Sequence, residues 1–314
     1  MSVLDAAYFH NDDAALAELE ATLWPHGPVC PRCGGMDRIT TVKGGRKGLR
    51  RCGPCKRQFT VTVGTVFESS HVPLHKWFQA VYLMCSSKKG ISSHQLHRIL
   101  EVQYKTAWFM THRIREAMTA GNLPPMGGPD EVVEIDETFI GQKRAKPAKA
   151  RGYAHKHAVM TLLQRGGSSR SFHVDGTSTK DLLPIIKKHI RPETRVMTDE
   201  AGQYVSLGKH FTEHDFVRHG KGEYGRGDTH TNTVEGFYSV FKRGMKGVYQ
   251  HCSEKHLHRY VTEFDFRYNN RVKLGIDDFS RTRNALNGIV GKRLTYRVSR
   301  GVGGRDWNTT ASGV

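Results

Sequence analysis

Apolar positions divide this chain into segments of different period. From Pro73 to about Met118 they recur at helical spacing. Trp77, Phe78, Val81, Tyr82 and Met84 mark one predicted helix, and Leu96, Ile99 and Leu100 mark a second after Ser92 or Ser93. Ala107, Trp108, Met110, Ile114 and Met118 mark a third, entered through the short break Glu101–Tyr104. Short helix, tight turn and longer helix is a helix-turn-helix-like order. In that reading Lys105 and Arg113 face DNA from the third helix. Residues 122–130, rich in Pro and Gly, read as a linker. From residue 131 the pattern is mixed. Strands are predicted over 131–140, 157–163, 169–174 and 195–198, with a further short one near Asp215–Arg218. Helices are predicted over 179–190, 234–248 and 254–269. This is the order of an α/β domain with a mixed sheet, spanning 131–275. A helical segment occupies 1–20. Residues 276–314 are basic and Gly-rich, and a frayed tail is expected there.

Between the N-terminal segment and the helices, cysteine spacing decides the structure. Cys30, Cys33, Cys52 and Cys55 form C-x2-C-x18-C-x2-C, the arrangement in which two tight knuckles turn four thiolates onto one Zn²⁺. Two disulfides would need an oxidising compartment, and the acidic N-terminus lacks a basic-then-apolar export signal. A structural zinc ribbon over 21–68 in a cytoplasmic, nucleoid-associated protein is therefore expected. No apolar run approaches the ~20 residues that cross a bilayer.

Charge then narrows the partner. The 314 residues hold 48 Lys and Arg against 30 Asp and Glu, a formal net charge of +18, which favours a polyanion such as double-stranded DNA. The ribbon is basic without interruption: no acid lies between Asp37 and Glu68, while Lys43, Arg46, Arg50 and Arg51 crowd its hairpin. Residues 142–157 are equally one-signed. Lys143 and Arg144 open that stretch next to a predicted strand, where a DNA clamp is expected.

Three acids carry candidate chemistry. Asp136 and Asp199 end apolar strand cores, and Glu235 opens a helix whose next two turns bring Lys242 onto the same stripe, with Arg243 beside it. Carboxylates gathered from distant segments suit Mg²⁺, and two such ions suit phosphodiester cleavage. Glu134 shares a strand face with Asp136 and reads as a supporting acid. Glu137 and Glu200 are expected to point the other way. His256-Leu-His258 with Tyr260 mimics another nuclease class, but helical spacing separates positions two apart.

Thirty-five residues separate Asp199 from Glu235, and Glu235 and Lys242 form Glu-x6-Lys. With EIDETFIG (134–141), VMTDEAGQY (196–204) and HTNTVEGFYSVFKRGMKGVYQH (230–251), the chain resembles the zinc-ribbon branch of bacterial insertion-sequence DDE transposases over about 20–275. The resemblance implies an RNase H-like core and Mg²⁺ or Mn²⁺ dependence. It also implies strand transfer at transposon ends, the triad Asp136, Asp199 and Glu235, and DNA contact by Lys242. Some members carry Asn at the third acid, so Asn232 and His230 are rivals of Glu235. A homo-oligomer assembled on paired ends is expected. The alternatives are a non-catalytic zinc-ribbon regulator and a plain metal-dependent nuclease.

Overall fold

The computed structural model describes residues 3–143, 152–223 and 225–295. Helix α1 (Asp12–Leu23) starts where the Asn11 side chain accepts from the amides of Asp13 and Ala14. The ribbon is a three-stranded antiparallel sheet of β1 (Ile39–Thr41), β2 (Arg50–Cys52) and β3 (Gln58–Phe59). Three helices follow: α2 (Leu74–Ser86), α3 (Ser93–Leu100) and α4 (Tyr104–Ala117). Ser92 caps α3 through the amide of Gln95, and Glu101, in the left-handed region, turns the chain into α4.

The catalytic-type domain comprises β4 (Val132–Ile140), β5 (His157–Gln164), β6 (Ser169–Val174), α5 (Thr179–His189), β7 (Arg195–Asp199), β8 (Glu213–Val217), α6 (Asn232–Gly244) and α7 (Glu254–Asn269). Its sheet runs β6-β5-β4-β7-β8. The first three strands are antiparallel, whereas β7 and β8 continue parallel to β4. This is the mixed α/β fold with an RNase H-like strand order that the pattern and the resemblance implied. One sheet face packs Val133, Ile135 and Val196 with Leu182 and Ile186 of α5. The other packs Ile140, Val159 and Leu163 against α6 and α7.

Two expectations are corrected. Residues 276–295 are no frayed tail: α8 (Asp278–Asn287), capped by Asp277, returns to the N-terminal helices and buries Ala285, Leu286 and Ile289 in their core. Apolar residues are sparse there, so the periodicity is weak, but Ala285, Leu286 and Ile289 are all spent on burial. The stretch 122–130 is no free linker either. Met126 is buried, its amide donates to the His189 carbonyl, and its own carbonyl accepts from Arg191. Gly127, at φ +80°, lies against Thr194 where a Cβ would collide. Residues 296–314 lie outside the described residues. Among the described residues no helix is long and apolar enough to cross a membrane.

Candidate active site and zinc centre

Alternation along β4 sorts its acids. Val133 and Ile135 face α5, so Glu134 and Asp136 face α6, while Glu137 turns back toward the α5 layer. On β7, Val196 pairs with Val133 and Met197 with Glu134, which puts Asp199 on the same face as Asp136, two residues further along each strand. The ladder between the two strands ends at Glu134, so both aspartates lie at the mouth where the strands part. This is a switch point of the sheet, with β5 on one side of β4 and β7 on the other.

Helix α6 brings the third acid, and two buried contacts seat it. Glu134, fully buried, accepts from the amides of Thr233 and Val234 at 2.9 Å each and from the Thr233 hydroxyl at 2.8 Å. These are otherwise unpaired amides of the first helical turn, where a carboxylate is favoured. Arg165 neutralises Glu134 at 2.6 Å. One turn on, the Tyr238 hydroxyl donates to the Asp136 carbonyl at 2.5 Å. Glu235 projects between these anchors. It is half exposed, accepts from the Thr231 hydroxyl at 3.1 Å and lies 3.5 Å from His219 Nε2. Glu134 is thus the supporting acid expected from its strand face. His230, a rival third ligand, is drawn into the same support through Arg165 at 3.0 Å and Glu134 at 3.3 Å. Asn232 begins α6.

The acids are electrostatically coupled. Burial pushes the Asp136 carboxyl up to about 8, and the charges of Glu137, Asp199 and Glu235 add to the shift. Glu137 is raised to about 7 by burial and by Asp199, against the hydrogen bonds it accepts from Tyr204 at 2.5 Å and Gln203 at 3.4 Å. Its side chain points away from Asp136 as alternation required, yet its charge still acts on the site. The sequence hid this, because Tyr204 and Gln203 come from the turn after β7. Glu200 accepts from the Gly220 amide at 2.8 Å. Mutual spacing within 4.8 Å, as a single ion requires, is met among the described residues by two groups, the four cysteines and His157, His173 and Glu254, and not by the three acids. Two ions about 4 Å apart spread their ligands more widely.

The raised Asp136 carboxyl has a signed consequence. Folded protein holds this proton up to about pH 8, whereas the unfolded chain releases it near 3.8. Between these values the folded state binds more protons, so rising pH removes stability. In EDTA, the stability of Asp136→Asn relative to the unsubstituted protein should therefore grow from about pH 4 to about pH 8. Thermal melts across that range check this, and curves that stay parallel would contradict it.

The ribbon cysteines converge as their spacing required. Cys30 and Cys55 sulfurs are 3.6 Å apart, as are those of Cys33 and Cys52, and all four lie within 4.8 Å. Tetrahedral thiolates at about 2.3 Å from Zn²⁺ are separated by about 3.8 Å, so the cage fits the ion. The cysteines surround a small core of Phe59 and Trp24. Cys52→Ser should lose about one Zn²⁺ per chain and unfold the ribbon, read by metal analysis and proteolysis. A ribbon that stays protease-resistant without zinc would oppose this.

Basic residues divide into exposed and internal ones. Lys242 and Arg243 border a shallow depression of about 650 Å³ with Ser239, Lys246 and Gly247. Arg51 and Lys105 are exposed and Lys143 is half-buried. Arg50 is tied instead to Glu20 of α1 at 2.6 Å, beside the Trp24 ring. Arg113 is only 6% exposed, stacks on Phe109 and donates to the Leu294 carbonyl at 3.3 Å. Neither Arg50 nor Arg113 presents a free guanidinium to DNA, because the returning C-terminal segment and α1 cover them. Helix α4 is internal over its second half. Its Arg115 donates at 2.6 Å to Glu263 of α7, which is fully buried. Arg144 lies outside the described residues. His256 and His258 sit on helix α7, so they lack the shared strand face that the other nuclease class requires.

Comparison with known proteins decides the family. The ISXO2-like transposase domain profile matches residues 128–269, and the transposase zinc-ribbon profile matches 10–58. The chain is 32% identical over 278 residues to a Halobacterium salinarum protein described as an uncharacterized protein in transposable element ISH50, covering 82% of this chain and 91% of that one. The chain belongs to the ISXO2-like transposase family. The ribbon match begins at residue 10, just before α1, and so includes α1, in keeping with the Arg50–Glu20 pair that fastens that helix to the ribbon. A chain of the simian T-cell lymphotropic virus intasome structure with PP2A regulatory subunit B56 gamma aligns at 15% identity. It covers 54% of this chain and 63% of that one, with a TM-score of 0.30, too distant to bear on the fold.

Proposed function

We propose that this transposase-family chain is a metal-dependent DNA strand transferase that cuts at the ends of its element and joins them to target DNA. The observation that carries the reading is the face shared by Asp136 and Asp199 at the mouth between β4 and β7, with Glu235 held opposite by the anchors of α6. The donor set fits Mg²⁺ or Mn²⁺: hard carboxylates at the site, and crowded negative charge that raises Asp136 and that a divalent cation would neutralise. Bound there, such ions supply activation of the attacking oxygen and stabilisation of the leaving oxygen. The protein's part is to hold the scissile phosphate in line. Lys242 and Arg243, two turns along α6 from Glu235, grip the DNA backbone next to the cut. Water first attacks the phosphate at the element's end and displaces the element's 3′-oxygen, leaving a free 3′-OH on the element and a 5′-phosphate on the flanking strand. That hydroxyl then attacks a target phosphate and displaces the target 3′-oxygen, so the second step exchanges one phosphodiester bond for another.

End recognition falls to the ribbon and to the outer edge of the helical module. There Lys105 and Tyr104 open α4 beside the exposed His94 and Arg98 of α3. Arg51 and Lys143 add phosphate contacts. Pairing two ends in one reaction calls for at least a dimer on DNA. Protein, Mg²⁺, a labelled element-end duplex and a plasmid should give joined product. Cut ends without joining would mark a plain nuclease, and binding without cutting would mark a regulator.

A further inference from the structure

Three ligating side chains meet outside the ribbon and the carboxylate site. His157 is the first residue of β5, His173 lies near the end of β6, and Glu254 is the first residue of α7. The strand register pairs His173 with Val159, two residues from His157, so the two imidazoles are diagonal neighbours on the sheet face that packs against α7. Their rings are 5.6 Å apart and nearly perpendicular. One ligand atom from each of the three residues falls within 4.8 Å of the other two, and His157 Nδ1 is 3.5 Å from a Glu254 oxygen.

The burial of His157 is the second observation. Its side chain is 5% exposed, and its Nδ1 is enclosed without a hydrogen-bond partner. A buried ring nitrogen left unpaired is costly, and the Glu254 oxygen stands beyond hydrogen-bond length. Ligands around a tetrahedral ion with bonds of about 2.0–2.1 Å are separated by about 3.3 Å. The observed spacing closes to that value with small side-chain movements. Burial, and then the neighbouring His157, disfavour added positive charge on His173, with Lys143 a lesser contributor, and Glu254 and Asp175 offset them.

We propose that His157, His173 and Glu254 form a second zinc site, separate from the ribbon and the carboxylate triad, with its fourth position open to water. Two imidazoles and one carboxylate are a borderline donor set that takes Zn²⁺ in preference to Mg²⁺. The ion braces the edge of the catalytic sheet against the start of α7. It also fixes the residue at which the chain enters β5. Glu254 is 54% exposed, so its replacement leaves the packed core intact.

Metal analysis of the full chain, equilibrated with buffered micromolar Zn²⁺ in excess Mg²⁺, tests the site. The unsubstituted protein should hold two Zn²⁺ per chain, and Glu254→Ala and His173→Ala one each. An organomercurial, which attacks thiolates, should release only one of the two ions. With Co²⁺, the equivalent lost in Glu254→Ala should lack the thiolate charge-transfer band that marks the ribbon. One Zn²⁺ per chain in the unsubstituted protein would overturn the proposal. So would two retained in both variants, or release of both ions by the mercurial.

Discussion

Asp136→Asn is expected to abolish cutting and joining, by about a thousandfold or more, while leaving end binding within about twofold. The substitution keeps the shape of a half-buried β4 residue that faces α6 but removes its charge. Losing several kcal/mol of transition-state stabilisation from displaced or lost ions corresponds to that rate factor. Binding survives because Arg51, Lys105, Lys242 and Arg243 lie on surfaces outside the carboxylate cleft. Asp199→Asn and Glu235→Gln should behave alike. Glu200→Gln should be mild, since Glu200 is engaged with the Gly220 amide. Glu137→Gln should fall between, because its charge reaches Asp199 although its carboxylate is held by Tyr204. Cleavage and joining assays beside binding titrations check the series, and equal losses in all five variants would undo the assignment.

Glu263→Gln is expected to cause the largest loss of stability, about 3–5 kcal/mol. Glu263 is fully buried on α7 and accepts from Arg115 of α4 at 2.6 Å, from Tyr249 at 2.5 Å and from Arg267. Burial alone would raise its carboxyl, but the Arg267 and Arg115 guanidinium groups hold it down at about 2. Removing the charge leaves two buried cations facing a neutral amide. The Arg115 guanidinium also lies 4.0 Å from the Tyr260 ring centre, and Arg259 pairs with Glu116 beside it, so the buried Glu263 network is the strongest of the links that bolt α4 to α7. Because α4 belongs to the helical module and α7 to the catalytic-type domain, the loss should appear as early separation of the two. Denaturant unfolding followed by proteolysis of each module checks this. A midpoint equal to that of the unsubstituted protein would contradict it.

Much of the catalytic-type domain was legible because it obeys local rules. Helix α7 follows its apolar stripe from Glu254 to Asn269, and β6 spans the predicted 169–174. Cysteine spacing specified the ribbon cage, and the two-residue period correctly gave Glu134 its place beneath Asp136. What stayed hidden depends on long-range packing. Arg113 reads as part of a basic face of a recognition helix, yet its partner Leu294 is far along the chain, as is Glu263, which its neighbour Arg115 pairs with. A buried arginine and an exposed one have the same letter, and only the partner distinguishes them. Arg50 was hidden likewise by its pairing with Glu20. Helix α8 was missed because a few residues, Ala285, Leu286 and Ile289, carry its burial. The His157, His173 and Glu254 group has no sequence spacing to betray it, since three elements bring it together.

We propose that Asp136, Asp199 and Glu235 act as metal ligands in strand transfer. The most direct measurement is the metal dependence of joining by Asp199→Cys. A thiolate is a soft ligand that Mg²⁺ rejects and Mn²⁺ accepts more readily. Joining by this variant should vanish in Mg²⁺ and return in Mn²⁺, with the unsubstituted protein active in both. Equal joining in Mg²⁺ by Asp199→Cys and the unsubstituted protein, or no recovery in Mn²⁺ by a variant that still binds element ends, would contradict the account.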